Sequence, residues 1–487
     1  MAMSDSTSTY INPFQETFAY RMSEEQGKGL NDLLSMYSPH GLFRKVVTYF
    51  GHSGGMPIHV GHSEYYDFDY MLRRILGLSS LDTGLTRTLF AGGKGYDIPN
   101  MAISSLSEGV ERVLGSLCFF GLMEKIAFGS YRTLTERGYN CLGPDDIPLF
   151  ADEQYEAGDI LYERFTKDSF LGWIEGKRLI SGENVWVPGQ LVALFYVLRG
   201  DENLIGYSTS GGLACHVNDK EALFHGITEL IERDAVNIRW NCKIAPEVIE
   251  LDRAPTEKSL TRLLEAAEGL PGKFRFYLHT IDIPEVPVVT VMENAPWLNR
   301  WAYYAGGGVN LDIDLAMLQA LSEYGQAERD LRLALAAPDR AFAYAVKRIF
   351  DIGEDASARD IDIFFKIVAY YGYPKTFKKM EWFVKGDKHV LLSSLPKQGA
   401  SSTKERFDCL VEILKKHGID PIVFDFTPPQ MRQAKLMKVF IPGLAPPYLH
   451  SKPLLGHPRY YETPHKLGLA PASLRFSDLV PDPLPYP

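Results

Sequence analysis

The chain has 487 residues, 45% of them apolar and 23% charged, which are ordinary proportions for a globular protein with ample material for a core. Its formal net charge of −10 and the lack of any Lys/Arg-rich run argue against non-specific nucleic-acid binding, and no apolar run approaches the ~18 residues needed to span a bilayer. The five cysteines, Cys118, Cys141, Cys215, Cys242 and Cys409, lack zinc-site or redox-pair spacing, and residues 1–10 hold no apolar signal core, so a reducing, cytoplasmic setting is expected.

In chain order, the pattern predicts a helix around Ser23–Met36 and a strand at Lys45–Phe50. A Gly/His-rich loop with His52, His59 and His62 comes next, then a strand at Arg87–Ala91 running into a Gly92-Gly-Lys-Gly95 turn. Pro99, tolerated in a first helical turn, opens a helix to about Phe119. Residues 120–184 show no clear period. Leu191–Leu198 reads as a strand and Gly200–Asn203 as a turn. A Ser/Thr/Gly loop from Ser208 leads to Asn218, a helix N-cap with Glu221 three residues on, as in a capping box. Leu223, Ile227, Leu230 and Ile231 continue it as an apolar helical stripe. Phe274–Thr280 and Val288–Met292 read as strands, and a third long helix runs from Asp312 to about Ala336. Val390–Leu395, Ile422–Thr427 and Met437–Ile441 read as strands, Ser402–His417 as a helix, and the chain beyond Pro446 as irregular. This alternation predicts an α/β or α+β fold.

The three long helices carry the chemistry. The first has Ser104-x-x-x-Glu108-x-x-Glu111-Arg112, with positions 104, 108 and 111 inside about 60° of the axis. The second has Glu221, Glu229 and Glu232 inside roughly 80°, then Arg233. The third has Glu323-x-x-Gln326-x-x-Arg329. Carboxylates crowded on one face repel one another unless something positive lies between them. Hard oxygen ligands suit Mg2+, which takes one or two carboxylates per ion and completes its shell with phosphate oxygens. The acids Glu108, Glu111, Glu221, Glu229 and Glu232 would serve two or three such ions bridged by a polyphosphate. Lys94, Arg233 and Arg329 could neutralise phosphate charge. Singly, each signal is bland. Glu-x-x-Glu is usually a solvated face, Glu221 fits a cap, Ser104 fits a packing role, and Gly93-Lys-Gly95 lacks the Walker spacing. Their joint occurrence carries the weight.

Gly93-Lys-Gly95, Ser104-x-x-x-Glu108-x-x-Glu111-Arg112 and Glu221-Ala222 with Glu229-x-x-Glu232-Arg233-Asp234-Ala235 together resemble the YcaO family. So do Glu323-x-x-Gln326-x-x-Arg329, Ile441-Pro-Gly-Leu444 and Leu455-Gly-His-Pro-Arg459, so the resemblance covers roughly residues 45 to 487. It implies an ATP-binding α/β (α+β) fold with mixed sheets and long acidic helices. It also implies an N-terminal extension (1–44), a catalytic domain (45–445) and a Pro-rich tail (446–487). Carried over, Glu108, Glu111, Glu221, Glu229 and Glu232 are expected to hold Mg2+. Lys94, Ser104, Glu108, Arg233, Glu323, Gln326 and Arg329 are expected to contact ATP. The chain departs from the family where members often carry Asn, at Ser210-Gly211-Gly212 and at His216-Val217.

Pro483, Pro485 and Pro487 form a PxPxP ending, which fixes φ and favours an extended strut. The ending resembles that of the azoline-forming branch. That implies an ATP-dependent cyclodehydratase acting on Cys, Ser or Thr of a ribosomally made precursor peptide with a leader. The Pro487 carboxylate, or a group it positions, is the expected base, with Pro483 and Pro485 supporting it. No fused leader-binding domain is apparent, so a separate leader-binding, E1-like partner is expected, together with a flavin-dependent azoline dehydrogenase. No nucleic-acid or membrane partner is expected. The alternatives are thioamide or amidine formation on the same fold, a non-catalytic assembly subunit, and a carboxylate metal hydrolase.

Overall fold

The structure, a computed structural model, describes residues 23–38, 41–49, 55–66, 90–95, 97–268, 274–294, 303–336, 352–361, 366–399 and 402–486, with isolated positions at 70, 73, 74, 77 and 79. Its strands are β1 (Phe43–Tyr49), β2 (His59–Tyr65), β3 (Phe90–Gly95), β4 (Ala127–Ser130), β5 (Phe170–Arg178), β6 (Asn184–Pro188), β7 (Leu213–His216), β8 (Glu247–Glu250), β9 (Arg275–Leu278), β10 (Val288–Asn294), β11 (Tyr303–Val309), β12 (His389–Leu391), β13 (Ile422–Asp425) and β14 (Lys435–Phe440). Its helices are α1 (Glu24–Ser35), α2 (Ile98–Leu122), α3 (Tyr131–Glu136), α4 (Asp152–Glu156), α5 (Asp219–Asn241), α6 (Lys258–Ala267), α7 (Ile313–Ala336), α8 (Lys366–Gly372), α9 (Pro374–Val384), α10 (Thr403–Lys416) and α11 (Arg459–Lys466).

The strands form three sheets, so the expected mixed α/β architecture is what the chain adopts. The first is antiparallel, β1-β2-β3. The second runs β4-β5-β13-β14-β7, with β6 also on β5. The third runs β11-β10-β9-β8-β12, in which β12 is parallel to β8 and the other pairs are antiparallel. The three long helices tie the sheets together. Helix α2 packs on β2, β3 and β7; α5 packs on β7 and β14; α7 packs on β10, β11 and β3. The acidic faces of the helices therefore meet where the sheets meet.

Local chemistry explains the helix starts. The Asp97 carboxylate accepts from the Asn100 N–H at 2.8 Å, and Pro99 sits in the first turn of α2. The Asn218 side chain accepts from the Glu221 N–H at 2.8 Å to open α5. The reciprocal half of a capping box is missing there, because the Glu221 carboxylate is bound to Thr403 and Arg406 instead. Leu106, Val110 and Val113 of α2 and Ile227, Val236 and Ile238 of α5 are fully buried. Glycines set how closely α7 lies on β11. A Cβ at Gly306 would fall 2.1 Å from the Tyr324 backbone N, and one at Gly308 would fall 2.2 Å from the Ala316 carbonyl. Among the described residues, no helix is long and apolar enough to cross a membrane.

Several local expectations differ from the structure. Gly93-Lys-Gly95 is part of β3 rather than a turn, and His59 and His62 lie on β2 rather than in a loop. Leu191–Leu198 is irregular after a single 3-10 turn, and the strand expected at Val390–Leu395 ends at Leu391. Residues 459–466 are helical, where only irregular chain was expected after Pro446. Arg459 anchors that helix, donating to both Asp234 of α5 and Asp282. Phe50, His52 and Arg87–Leu89 lie outside the described residues.

Candidate active site

Helices α2, α5 and α7 and strand β3 bring the sequence-predicted side chains together. The Glu111 carboxylate accepts from the Cys215 N–H of β7 at 2.6 Å, and Glu229 accepts from the Gly212 N–H at 2.9 Å. Glu323 accepts from the Gly307 N–H at 2.8 Å and pairs with the Lys94 ammonium at 3.2 Å. The Ser104 hydroxyl accepts from the Lys94 backbone N–H at 3.4 Å. Glu108 pairs with Arg112 at 3.4 Å, and Arg233 lies 3.9 Å from Glu229. Gln326 lies over β3, where a Cβ at Gly92 would fall 2.4 Å from its amide nitrogen. Arg329 is buried and donates to the Ile58 carbonyl at 2.8 Å, ahead of β2.

The acids feel one another. Burial pushes the Glu111 carboxyl up to about 8; the Cys215 N–H and Arg112 pull it down, while the charges of Glu108 and Glu229 add to the rise. Burial likewise raises Glu232 to about 7, helped by Glu323 and Glu229 and opposed by Arg233 and by the hydrogen bond from Tyr486. Partial burial pushes Glu323 up as well, but Lys94 and the Gly307 N–H hold it below the ordinary carboxylate range. Glu108, Glu111, Glu229, Glu232 and Glu323, from three helices, thus share one electrostatic cluster.

Glu221 lies on the same face of α5 but is engaged by α10. It accepts from Thr403 at 2.5 Å and is paired with Arg406, with His225 3.9 Å away. The His216 and His225 rings stack 5.0 Å apart, and the ligand atoms of His216, Glu221 and His225 all lie within 4.8 Å of one another.

The tail is not frayed. Residues 483–486 are buried, and each carbonyl from Asp482 to Tyr486 meets a side chain. Trp240 Nε1 donates to the Asp482 carbonyl at 2.9 Å, Tyr371 to that of Pro483 and Tyr303 to that of Pro485. His450 Nε2 lies 3.1 Å from the Leu484 carbonyl and 3.2 Å from that of Tyr486, so this nitrogen carries the hydrogen. Burial lowers His450 to about 4, which keeps the ring neutral. A proline strand offers carbonyls at every residue but few N–H groups, and Trp240, Tyr371, Tyr303 and His450 meet those carbonyls as donors. Pro487 itself lies outside the described residues.

Sequence reasoning missed Tyr486 and Lys438. The Tyr486 hydroxyl donates to Glu232 at 2.8 Å and lies 3.3 Å from Glu323, and its ring sits 4.9 Å below the Arg233 guanidinium. Lys438 is buried and donates to the carbonyls of Thr209 and Gly211 at 2.8 and 2.7 Å, holding the loop whose next residue binds Glu229. It also lines a largely apolar pocket with Leu149, Leu230, Val439, Pro447 and Leu454. A lysine amid the apolar run Leu436–Phe440 was the available signal, since an unpaired buried charge is expensive.

Residues 92–445 match the family model described as YcaO cyclodehydratase, ATP- and Mg2+-binding. The chain belongs to the YcaO family. An uncharacterized protein of Methanothermobacter thermautotrophicus is 30% identical over 162 residues, 33% of this chain and 41% of that protein. A heterocyclase solved in complex with substrate and cofactor superposes with a TM-score of 0.71 at 20% identity, covering 95% of this chain and 57% of that one. YcaO from Methanopyrus kandleri bound with AMPPCP and Mg2+ superposes with a TM-score of 0.52 at 18% identity, covering 83% of this chain and 86% of that one. The chain thus spans about half the length of the first two. The residues present fit a YcaO magnesium site. Mutually repelling carboxylates from three helices face one another, and added cations relieve that repulsion.

Proposed function

We propose that this YcaO protein is an ATP-dependent cyclodehydratase that converts Cys, Ser or Thr of a ribosomally made peptide to thiazoline or oxazoline. The observation that carries this reading is the seating of residues 482–486 against the acidic cluster, with Tyr486 on Glu232. Side-chain donors hold successive carbonyls of the tail beside those acids, which supports a part for it in the chemistry.

In the proposed reaction a substrate side chain attacks the preceding backbone carbonyl. ATP supplies its γ-phosphoryl group to the resulting oxyanion, and phosphate then leaves in place of hydroxide. Glu108, Glu111, Glu229 and Glu232 would hold Mg2+, which neutralises phosphate charge when bound. Lys94, Arg233 and Arg329 are assigned to phosphate, and Ser104, Glu323 and Gln326 to positioning the nucleotide. Glu221 completes the metal set in this reading only after exchanging Arg406 for a cation. Most of the rate then comes from orientation and fixed charge. Pro487, one residue past Tyr486, is the proposed base or positions it, with Pro483 and Pro485 as the strut.

The proposed substrate is a precursor peptide with a leader. Leader recognition is assigned to a separate E1-like protein, and oxidation of azoline to azole to a flavin-dependent dehydrogenase. The test is product mass after incubation with ATP, Mg2+, a leader-bearing Cys/Ser/Thr peptide and the leader-binding protein. Loss of water with ATP turnover is expected. Loss of water with gain of sulfide would replace the reading with thioamide formation. Residues appended after Pro487 should abolish cyclisation while ATP still binds.

A further inference from the structure

We infer that Tyr486 is a positioning residue that couples seating of the tail to binding of magnesium-nucleotide; this rests on the nucleotide site proposed above. Each of the other tail contacts named above uses a backbone carbonyl and would hold many sequences of similar shape. Tyr486 is different, because its side chain touches three residues of that site from two helices. Its hydroxyl donates to Glu232 of α5 and lies 3.3 Å from Glu323 of α7. Its ring carries the Arg233 guanidinium, a cation–π contact that fixes where Arg233 points.

The surroundings are shaped for this phenol. A Cβ at Gly307 would fall 1.7 Å from the Tyr486 oxygen and 3.0 Å from a Glu232 oxygen. Gly306 and Gly308 answer to α7 on the opposite face of β11, so Gly307 is the one glycine of the three that makes room for the tail. The same Gly307 donates its N–H to Glu323, so one backbone position orders both the phenol and the acid beside it. With the tail seated, Glu232 and Arg233 are held in one geometry. With the tail out, both lose a partner at once. Coupling between two binding events is reciprocal, so magnesium-nucleotide should tighten the tail by the factor by which the tail tightens nucleotide.

The experiment uses the full chain and hydrogen exchange at Asp482, Leu484 and Tyr486, the backbone N–H groups of the PxPxP segment. Exchange is read with and without saturating Mg2+ and AMPPCP, and the same ligand is titrated by calorimetry. In the wild type, ligand should slow exchange of the segment about tenfold. Tyr486→Phe keeps the ring and the carbonyl contacts. It should retain ligand-free protection yet lose most of the ligand-induced gain, and should bind ligand about tenfold more weakly. Tyr303→Phe removes a carbonyl donor and leaves the phenol. It should speed ligand-free exchange but keep the gain. Equal gains in wild type and Tyr486→Phe, or equal losses in the two variants, overturn the coupling. A wild type that binds ligand without protecting the tail overturns the coupling alone, whereas a wild type that binds no ligand overturns the nucleotide site as well.

Discussion

The Glu111 carboxylate of α2 is fixed by the Cys215 N–H of β7 at 2.6 Å, so one oxygen is anchored while the group still faces the charges of Glu108 and Glu229. Its pKa of about 8 means the folded, cation-free protein holds a proton there at neutral pH. An unfolded Glu releases that proton near ~4.3. Between those values the folded state binds more protons, so this group's contribution to stability falls as pH rises from about 4.5 to about 8. Glu232, at about 7, acts in the same direction. Cations between the acids remove the repulsion and displace the protons. The rise in Tm on adding Mg2+ and nucleotide should therefore grow from about pH 6 to about pH 8.5, with proton release measurable by calorimetry in buffers of different ionisation enthalpy. A rise that stays flat with pH would remove Glu111 and Glu232 from the cation shell.

Glu229→Gln and Glu232→Gln should each lower turnover on the order of 10²-fold, if each helps hold phosphate charge in the transition state. Melting should change little in comparison, since Gln keeps the acceptor that meets the Gly212 N–H or the Tyr486 hydroxyl. Near-normal turnover in both variants would contradict the metal assignment.

Glu221 should behave differently. It is the partner of Arg406, whose guanidinium also lies 4.4 Å from the Phe224 ring centroid. Glu221→Gln leaves that cation uncompensated, so a stability loss of about 3 kcal/mol is expected in urea unfolding. An unchanged midpoint with lost activity would move Glu221 into the cation shell alone.

Gly307→Ala should unseat the tail. β11 tolerates alanine as a strand residue, but the new methyl group would occupy the Tyr486 hydroxyl position. Protease should then remove the segment after Val480 from an otherwise intact chain, and cyclisation should be lost. A protected tail in this variant would mean that β11 moves to accommodate it.

Arg459→Met should destabilise the protein by about 3–5 kcal/mol, because Asp234 is 2% exposed and would lose its counter-charge. Urea unfolding checks this, and a loss below about 1 kcal/mol would show that α11 is held by its apolar face instead.

The helices were legible because their signals are local. Asn218, Pro99 and the spacing of the acids follow from 3.6 residues per turn and from end-capping chemistry. Gly93-Lys-Gly95 was misread because its glycines answer to packing rather than to a turn. A Cβ at Gly93 would fall 2.1 Å from the Ser105 backbone N, and one at Gly95 would fall 2.5 Å from that of Met101. In the run after Leu191 only Val192 and Ala193 are buried, the chain turns outward to exposed Val197 and Leu198, and Gln190 organises the loop by bonding Asn203 and Ile205. Residues 459–466 form a helix because Pro458 precedes the first turn, where a missing N–H costs nothing. Tyr486 was out of reach of local reasoning, since its partner Glu232 is 254 residues away and Gly307 supplies the space.

The donor-lined seat of residues 482–486 also acts as a filter. An ordinary extended peptide presents an N–H at nearly every position, and Trp240 Nε1 and the hydrogen-bearing His450 Nε2 cannot accept those hydrogens. Each stranded amide would cost about 1–3 kcal/mol. A loose peptide of ordinary composition is thereby a poor competitor for this berth.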